Sequence, residues 1–211
     1  MELILQNTPL LYAGVFLLGL MVGSFLNVVI LRLPVALEHD WRCQCRELLE
    51  LEPPEQSKPP GIVAGRSYCP KCGHQIRALE NVPVLSYLVL RGKCSACSEK
   101  ISLRYPAVEL TTAVLFLFCI IHFGPTIQGA AALVLTTLLI AMTGIDFDHQ
   151  LLPDNLTLPL MWLGLLLALG GYFTDLRSSV IGAVAGYLSL WSVYHLFRLL
   201  TGKEGMGYGD F

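Results

Sequence analysis

Charge is scarce in this chain: Asp, Glu, Lys and Arg together make up 14% of its 211 residues. Soluble domains carry roughly 25%, so there are too few charges to cover a water-facing surface. The net charge of −2 leaves no basic excess and therefore no nucleic-acid footprint. Glu2 is the only charge before the first apolar run, so the basic n-region of a signal peptide is missing. No HExxH sequence occurs, which removes a common zinc-hydrolase pattern, and no glycine-rich dinucleotide fingerprint follows a strand. Internal repeats and low-complexity tracts are absent from the sequence as well.

What is present is apolar: 54% of residues are hydrophobic and the mean hydropathy is +0.60. A bilayer span takes ~20 mostly apolar residues. Five stretches qualify, at roughly 10–31, 106–123, 127–145, 156–173 and 178–200. The expected fold class is an all-α polytopic membrane protein, a helical transmembrane bundle with a small zinc-binding cytoplasmic insertion. Three regions follow: a first span in 1–33, a loop at 34–104 with a cysteine-bearing unit at 66–104, and further spans in 105–211.

Most Lys and Arg fall between Arg32 and Arg104, and Arg32 and Arg42 flank the first span on its C-terminal side. The positive-inside rule then predicts an external N-terminus and a cytoplasmic loop at 34–104. Counting onward places Gly124-Pro125 outside, 146–155 inside, Thr174-Asp175 outside, and Arg198 to Asp210 inside. Arg198 and Lys203 agree with this count and Arg177 opposes it. Within the loop, Glu38 to Pro60 is acidic and contains prolines. It reads as a short helix near Trp41–Leu51 followed by a linker.

In the first span, Gly19 and Gly23 have the small-xxx-small spacing that lets helices approach closely. Ser24 and Asn27 lie near the same face and can hydrogen-bond a neighbouring helix. Ordinary helix packing accounts for all four residues. At Pro153-Asp154-Asn155, Asp154 or Asn155 is expected to cap the next helix.

The cysteines are more specific. Cys69-Pro70-Lys71-Cys72 and Cys94-Ser95-Ala96-Cys97 are two CxxC knuckles, and together they supply the four ligands of a closed tetrahedral Zn²⁺ site. Two disulfides are the alternative, which a reducing cytoplasm disfavours. Gly73 and Gly92-Lys93 suit tight turns that direct backbone N–H groups toward sulfur. Cys43 and Cys45 read as bystanders and Cys119 as a packed residue within a span.

Two aspartates stand where apolar runs end, in Gly144-Ile145-Asp146-Phe147-Asp148 and in Gly207-Tyr208-Gly209-Asp210. Carboxylates in such places are costly to desolvate. A pair sharing one proton can hydrolyse a peptide bond, one ionised and activating water, the other protonated and polarising the carbonyl. Spacing alone leaves a proton or ion relay equally open, with Glu109 as a second member. A zinc-module adaptor without catalysis would leave the Gly-x-Gly-Asp sequence unexplained.

A longer series of motifs narrows this choice. Val22-Gly23-Ser24-Phe25-Leu26-Asn27-Val28-Val29, followed by Arg32-Leu33-Pro34, resembles the opening of bacterial type IV prepilin peptidases. The same resemblance continues through Cys69-Pro70-x-Cys72-Gly73-His74-x-Ile76, Asn81-x-Pro83, Gly92-Lys93-Cys94-x-x-Cys97 and Tyr105-Pro106-x-x-Glu109. It ends with Asp146-x-Asp148-His149-Gln150-Leu151-Leu152-Pro153-Asp154 and Gly207-x-Gly209-Asp210, in order over nearly the whole chain.

The resemblance implies a GxGD-type membrane aspartic protease, similar in site chemistry to presenilin and preflagellin peptidase. Such enzymes remove the basic leader of prepilins and type II secretion pseudopilins on the cytoplasmic side of the bacterial inner membrane, after a glycine. Many then N-methylate the exposed residue, usually phenylalanine, using S-adenosylmethionine. The implied catalytic pair is Asp146 and Asp210, and the implied metal ligands are Cys69, Cys72, Cys94 and Cys97. Gly92 and Lys93 are the candidates for methyl-donor contacts. The partners implied are prepilin-like substrates and the lipid bilayer.

Asp148 is expected to play at most a supporting role, since it points to another helix face. Glu109 could pair with Arg104, snorkel or orient the site; His149 is a candidate for a supporting position, and His122 and His195 for packing. The chain stops at Phe211, one residue after Asp210, and on the resemblance it is expected to be a fragment.

Overall fold

The computed structural model describes residues 8–52, 59–62 and 65–203. The described residues are helical: α1 (Thr8–Leu48), a 3₁₀ turn (Ala78–Asn81), α2 (Leu85–Val89), α3 (Arg104–Phe123), α4 (Ile127–His149), α5 (Asp154–Leu169) and α6 (Leu176–Thr201). Extended pairing among them is confined to two isolated bridges, Tyr68 with Gln75 and Lys93 with Lys100. Four helices, α1, α3, α4 and α6, are long and apolar enough to cross a membrane. The expected all-α polytopic architecture is therefore what the chain adopts.

The residues up to His149 form one compact unit and those from Gln150 a second. In the first unit, α1 packs on α3, and α4 packs on both. Val15, Phe116 and Ile120 form a buried cluster there, flanked by Leu11, Tyr12, Val22 and Leu133. Large apolar side chains such as Leu17, Met21, Phe25, Val114, Phe118 and Ile121 stay exposed, as suits a lipid-facing surface.

Close approach of α1 to α3 depends on two glycines. A Cβ at Gly19 would stand 2.5 Å from the Ala113 Cα, and one at Gly23 2.6 Å from the Glu109 Cα. Lipid offers no hydrophobic drive to press helices together, so contact of this kind is what joins them. Gly23→Val is expected to force α3 outward and destabilise the unit by about 1–3 kcal/mol. Nothing lies within 4 Å of a Cβ at Gly14, so Gly14→Val should leave thermal unfolding in detergent unchanged. Equal melting of the two variants would refute the role of the seam.

Two elements differ from expectation. The short helix foreseen near Trp41–Leu51 is the far end of α1, which runs for 41 residues through Pro34. Proline removes one backbone hydrogen bond, but Pro34 is buried and the residues after it favour helix, with Arg42 pairing to Glu38 at 3.6 Å. The helix is about 62 Å long, roughly twice the ~30 Å hydrocarbon thickness.

The fourth apolar stretch folds as α5, whose 16 residues end at Leu169 because Gly170 and Gly171 break the helix, Gly171 at φ 68°. Its length of about 24 Å is less than the ~30 Å core. Neither Asp154 nor Asn155 caps it: the N-cap is Pro153, without a side-chain bond, and Asp154 is already helical. Asp154 instead places a carboxylate in the first turn, where the helix dipole favours it. In α6 the cap is explicit, with Asp175 accepting from the Ser178 N–H at 3.0 Å.

Candidate functional site

The insertion between α1 and α3 is built from two matching knuckles. In the first, Gly73 N–H donates to the Cys69 carbonyl, Cys69 N–H to the His74 carbonyl, and Ile76 N–H to the Ser67 carbonyl. The second repeats each bond, Ser98 to Cys94, Cys94 to Glu99, and Ile101 to Gly92. The fifth residue of each turn takes a positive φ, 70° at Gly73 and 58° at Ser98. The shared CxxC spacing signals only part of this, since most other side chains differ while the backbone bonds agree.

The four thiols converge, with the sulfurs of Cys69, Cys72, Cys94 and Cys97 all within 4.8 Å of one another. Cys69 Sγ lies 3.8 Å from Cys97 Sγ, and Cys72 Sγ lies 4.0 Å from Cys94 Sγ. A tetrahedron with ~2.3 Å Zn–S bonds has edges of about 3.8 Å, so the donor set fits Zn²⁺. A disulfide needs about 2.05 Å, and every described cysteine is a free thiol. Cys43 and Cys45 stand outside the set; Cys43 contacts His39 within its own helix.

Electrostatics support a cation there. Backbone N–H groups of Cys72 and Lys71 point at the Cys69 sulfur and bring its thiol down to about 6. The N–H aimed at Cys97 comes from Glu99, yet Cys72, burial, Cys94 and Cys69 push the Cys97 thiol up to about 12. Cys69 thus ionises readily, whereas Cys97 resists losing its proton until positive charge is present. The donors are those of Lys71, Cys72 and Glu99; the Gly73 N–H goes to the Cys69 carbonyl.

Side chains link the knuckles. Lys71 Nζ donates to Glu99 at 2.5 Å, and His74 Nε2 lies 3.2 Å from Glu80 and 3.3 Å from Ser95. The Arg77 N–H, the Ser95 hydroxyl and His74 hold Glu80 down at about 2. Its hold on the 3₁₀ turn is complete above the ordinary carboxylate range near 4.5 and is lost as pH falls toward 2. The Arg32 guanidinium fastens the insertion to α1 by donating to the carbonyls of Gly61 at 2.9 Å, Gly65 at 2.7 Å and Arg66 at 3.0 Å.

Gly92 has φ 66°, and a Cβ there would meet the Tyr87 hydroxyl at 2.7 Å. Gly92 and Lys93 form the turn entering the second knuckle. Neither lines the cavity of about 490 Å³ enclosed by α1, the insertion and the start of α3. Glu109 does line it, buried to 7% exposure, and accepts the Val84 N–H at 2.7 Å. Asn27 donates to the Tyr105 carbonyl at 3.1 Å, the interhelical bond anticipated for it.

Asp146 is exposed in the last turn of α4. Asp210, with Gly207 and Gly209, lies outside the described residues. Arg104 pairs with Asp148, where Glu109 was the partner considered, and its second amine donates to the Gly144 carbonyl at 3.2 Å. The start of α3 is thereby tied to the turn that carries Asp146. His122 packs against Phe118 and Phe123, and His195 against Trp191 and Tyr194.

Residues 17–123 match the Bacterial Peptidase A24 N-terminal domain, and residues 133–211 match the Type IV leader peptidase family. Over 208 residues the chain is 54% identical to the prepilin leader peptidase/N-methyltransferase of Stutzerimonas stutzeri, covering 98% of this chain and 72% of that protein. The chain belongs to the type IV leader peptidase family. The enzyme of the same name from Pseudomonas aeruginosa is 57% identical over 195 residues, 92% of this chain and 67% of the relative. That from Dichelobacter nodosus is 53% identical over 214 residues, with 98% and 74% covered. No solved structure matches the chain. Within this leader peptidase the matched segments take in both the cysteine knuckles and the two aspartate-bearing stretches.

Proposed function

We propose that this leader peptidase is an aspartic endopeptidase that cleaves prepilins and type II secretion pseudopilins on the cytoplasmic face of the inner membrane. In this reading it then N-methylates the new N-terminus with S-adenosylmethionine, and so serves pilus assembly and protein secretion. The observation that carries the reading is the family membership, with relatives above half identity named for both activities.

Asp146 and Asp210 form the proposed catalytic pair. One carboxylate takes the proton of the attacking water while the protonated partner donates to the scissile carbonyl oxygen. Two carboxylates at ~3 Å cannot both ionise, so a single shared proton sets the roles. The exposure of Asp146 at a helix end supports reaction at an interface, not a relay deep in the bilayer. The four cysteines hold Zn²⁺ as a structural ion, a closed set with no open position for catalysis. The proposed topology has the N-terminus in the periplasm, residues 34–104 in the cytoplasm, and α5 as a crossing segment.

The test uses the full-length protein in proteoliposomes with a prepilin substrate. Mass spectrometry is expected to find the leader removed after glycine and the new terminus methylated. Intact prepilin after prolonged incubation with folded protein would refute the proposal.

A further inference from the structure

The cavity between α1, the insertion and α3 contains a feature that the peptidase chemistry does not use. Three carboxylates line it, those of Glu80, Glu99 and Glu109. Glu80 is engaged by His74 and the Arg77 N–H, and Glu99 by Lys71. Glu109 is the most buried of them, and among the described residues no cation reaches it in an ion pair. The nearest candidate on its own helix, Arg104, is committed to Asp148. Arg32 and Lys100 also line the cavity; Arg32 is committed to three backbone carbonyls, and Lys100 makes no ion pair with Glu109.

A buried carboxylate is costly unless a cation or several hydrogen bonds compensate it. The protein supplies the Val84 N–H and the Ser24 hydroxyl, and the former comes from a strained backbone. Val84 is β-branched and sits at φ 60°, ψ −46°. A residue of this type is held so only when its surroundings over-determine it, and such strain gathers at ligand sites. Beside its polar groups, the cavity lining has apolar and aromatic side chains, among them Val28, Leu31, Ile76, Tyr87, Leu90 and Tyr105. Aromatic faces attract both cations and other rings. At about 490 Å³ the cavity has the size of an ordinary small-ligand site.

We propose that this cavity seats a primary ammonium on an aromatic or apolar body, with Glu109 as its counter-ion, and that in this chain the ligand is the amino terminus freed by leader removal. This rests on the function proposed above, which produces such an amine and then methylates it. Glu109 then also has a chemical task. The ammonium proton moves to a Glu109 oxygen, leaving nitrogen its lone pair. That pair forms the N–CH₃ bond as the S–CH₃ bond of a sulfonium donor breaks, its electrons going to sulfur to leave a thioether.

Glu109→Gln tests the charge without breaking the Val84 link, because the amide oxygen still accepts that N–H. In full-length protein in detergent, the variant is expected to raise the apparent KM for a pre-cleaved acceptor peptide by about tenfold or more. The donor KM should stay constant, and cleaved but unmethylated product should accumulate. Independently of activity, calorimetric titration with phenylalaninamide should show the same loss of affinity in the variant. N-Acetylphenylalaninamide, which lacks the ammonium, should bind both proteins equally weakly.

Unchanged acceptor KM and unchanged probe affinity would overturn the proposal. So would a rise in donor KM alone, which would assign the Glu109 counter-ion to the sulfonium instead. If Glu109→Gln fails to fold, the wild-type protein decides by its preference for the free amine over the acetylated probe, with no preference refuting the site. Wild-type protein that leaves prepilin intact would sink the parent function, and the probe titration would then judge the amine site by itself.

Discussion

Stripping the metal from the Cys69, Cys72, Cys94 and Cys97 set is expected to unfold the insertion while the α1, α3 and α4 packing survives. The insertion has almost no core of its own: Tyr68, Leu79, Leu85, Leu88, Val89 and Leu103 are all exposed, and Cys69 is its one buried hydrophobic residue among those described. Structural zinc supplies about 10–16 kcal/mol in small domains of this kind, far more than the few backbone bonds and the Lys71–Glu99 pair can offer. Backbone hydrogen exchange should therefore lose protection across 66–102 after chelation and regain it when Zn²⁺ is restored. Cys72→Ser should reproduce the loss. The cavity beside Glu109 shares Cys69 and Cys94 as lining residues, so phenylalaninamide binding should vanish together with the protection. Full protection in protein shown to be metal-free by elemental analysis would contradict this account.

Asp146→Asn carries the second large effect. Under the proposed assignment, leader cleavage should fall by about 10²–10⁴-fold, the range that positioned proton transfer contributes. Asparagine keeps the shape and one oxygen but can neither take nor share the proton. Because Asp146 is exposed, stability should change by no more than about 0.5 kcal/mol. The Arg104–Asp148 pair is untouched, so the end of α4 keeps its place. Circular dichroism and melting establish the fold, and cleavage of prepilin in proteoliposomes gives the rate. Native rates from a well-folded variant would remove Asp146 from the mechanism.

The sequence made the membrane helices and the metal set readable, since both are local signals. An apolar run declares its length directly, and a CxxC knuckle places two thiols on one turn regardless of the rest of the chain. Asn27 was readable too, because small residues at 19 and 23 mark the face where a partner must approach. The choice of Asp148 by Arg104 was not readable. It depends on how α3 crosses α4, which spacing along the chain does not encode. Residue 34 opened the expected loop, yet Pro34 lies within the helix, where burial of its ring and good helix formers on both sides outweigh one lost bond. The backbone match between the two CxxC knuckles was not readable for a related reason: it resides in main-chain bonds, and the fifth residue is glycine in one turn and serine in the other. Glu109 gave only half of its signal, since a carboxylate near a span invites many readings until its burial and lack of a cation are seen.

That glycine-to-serine difference makes the two halves of the cysteine unit mechanically unequal. Ser98 occupies a backbone region that costs an L-residue roughly 1–2 kcal/mol, whereas Gly73 enters it freely. The loop with the tensed serine therefore opens more easily, by about a factor of ten for 1.4 kcal/mol. An ion held by the four thiols would then leave in two stages, Cys94 and Cys97 letting go while Cys69 and Cys72 still grip.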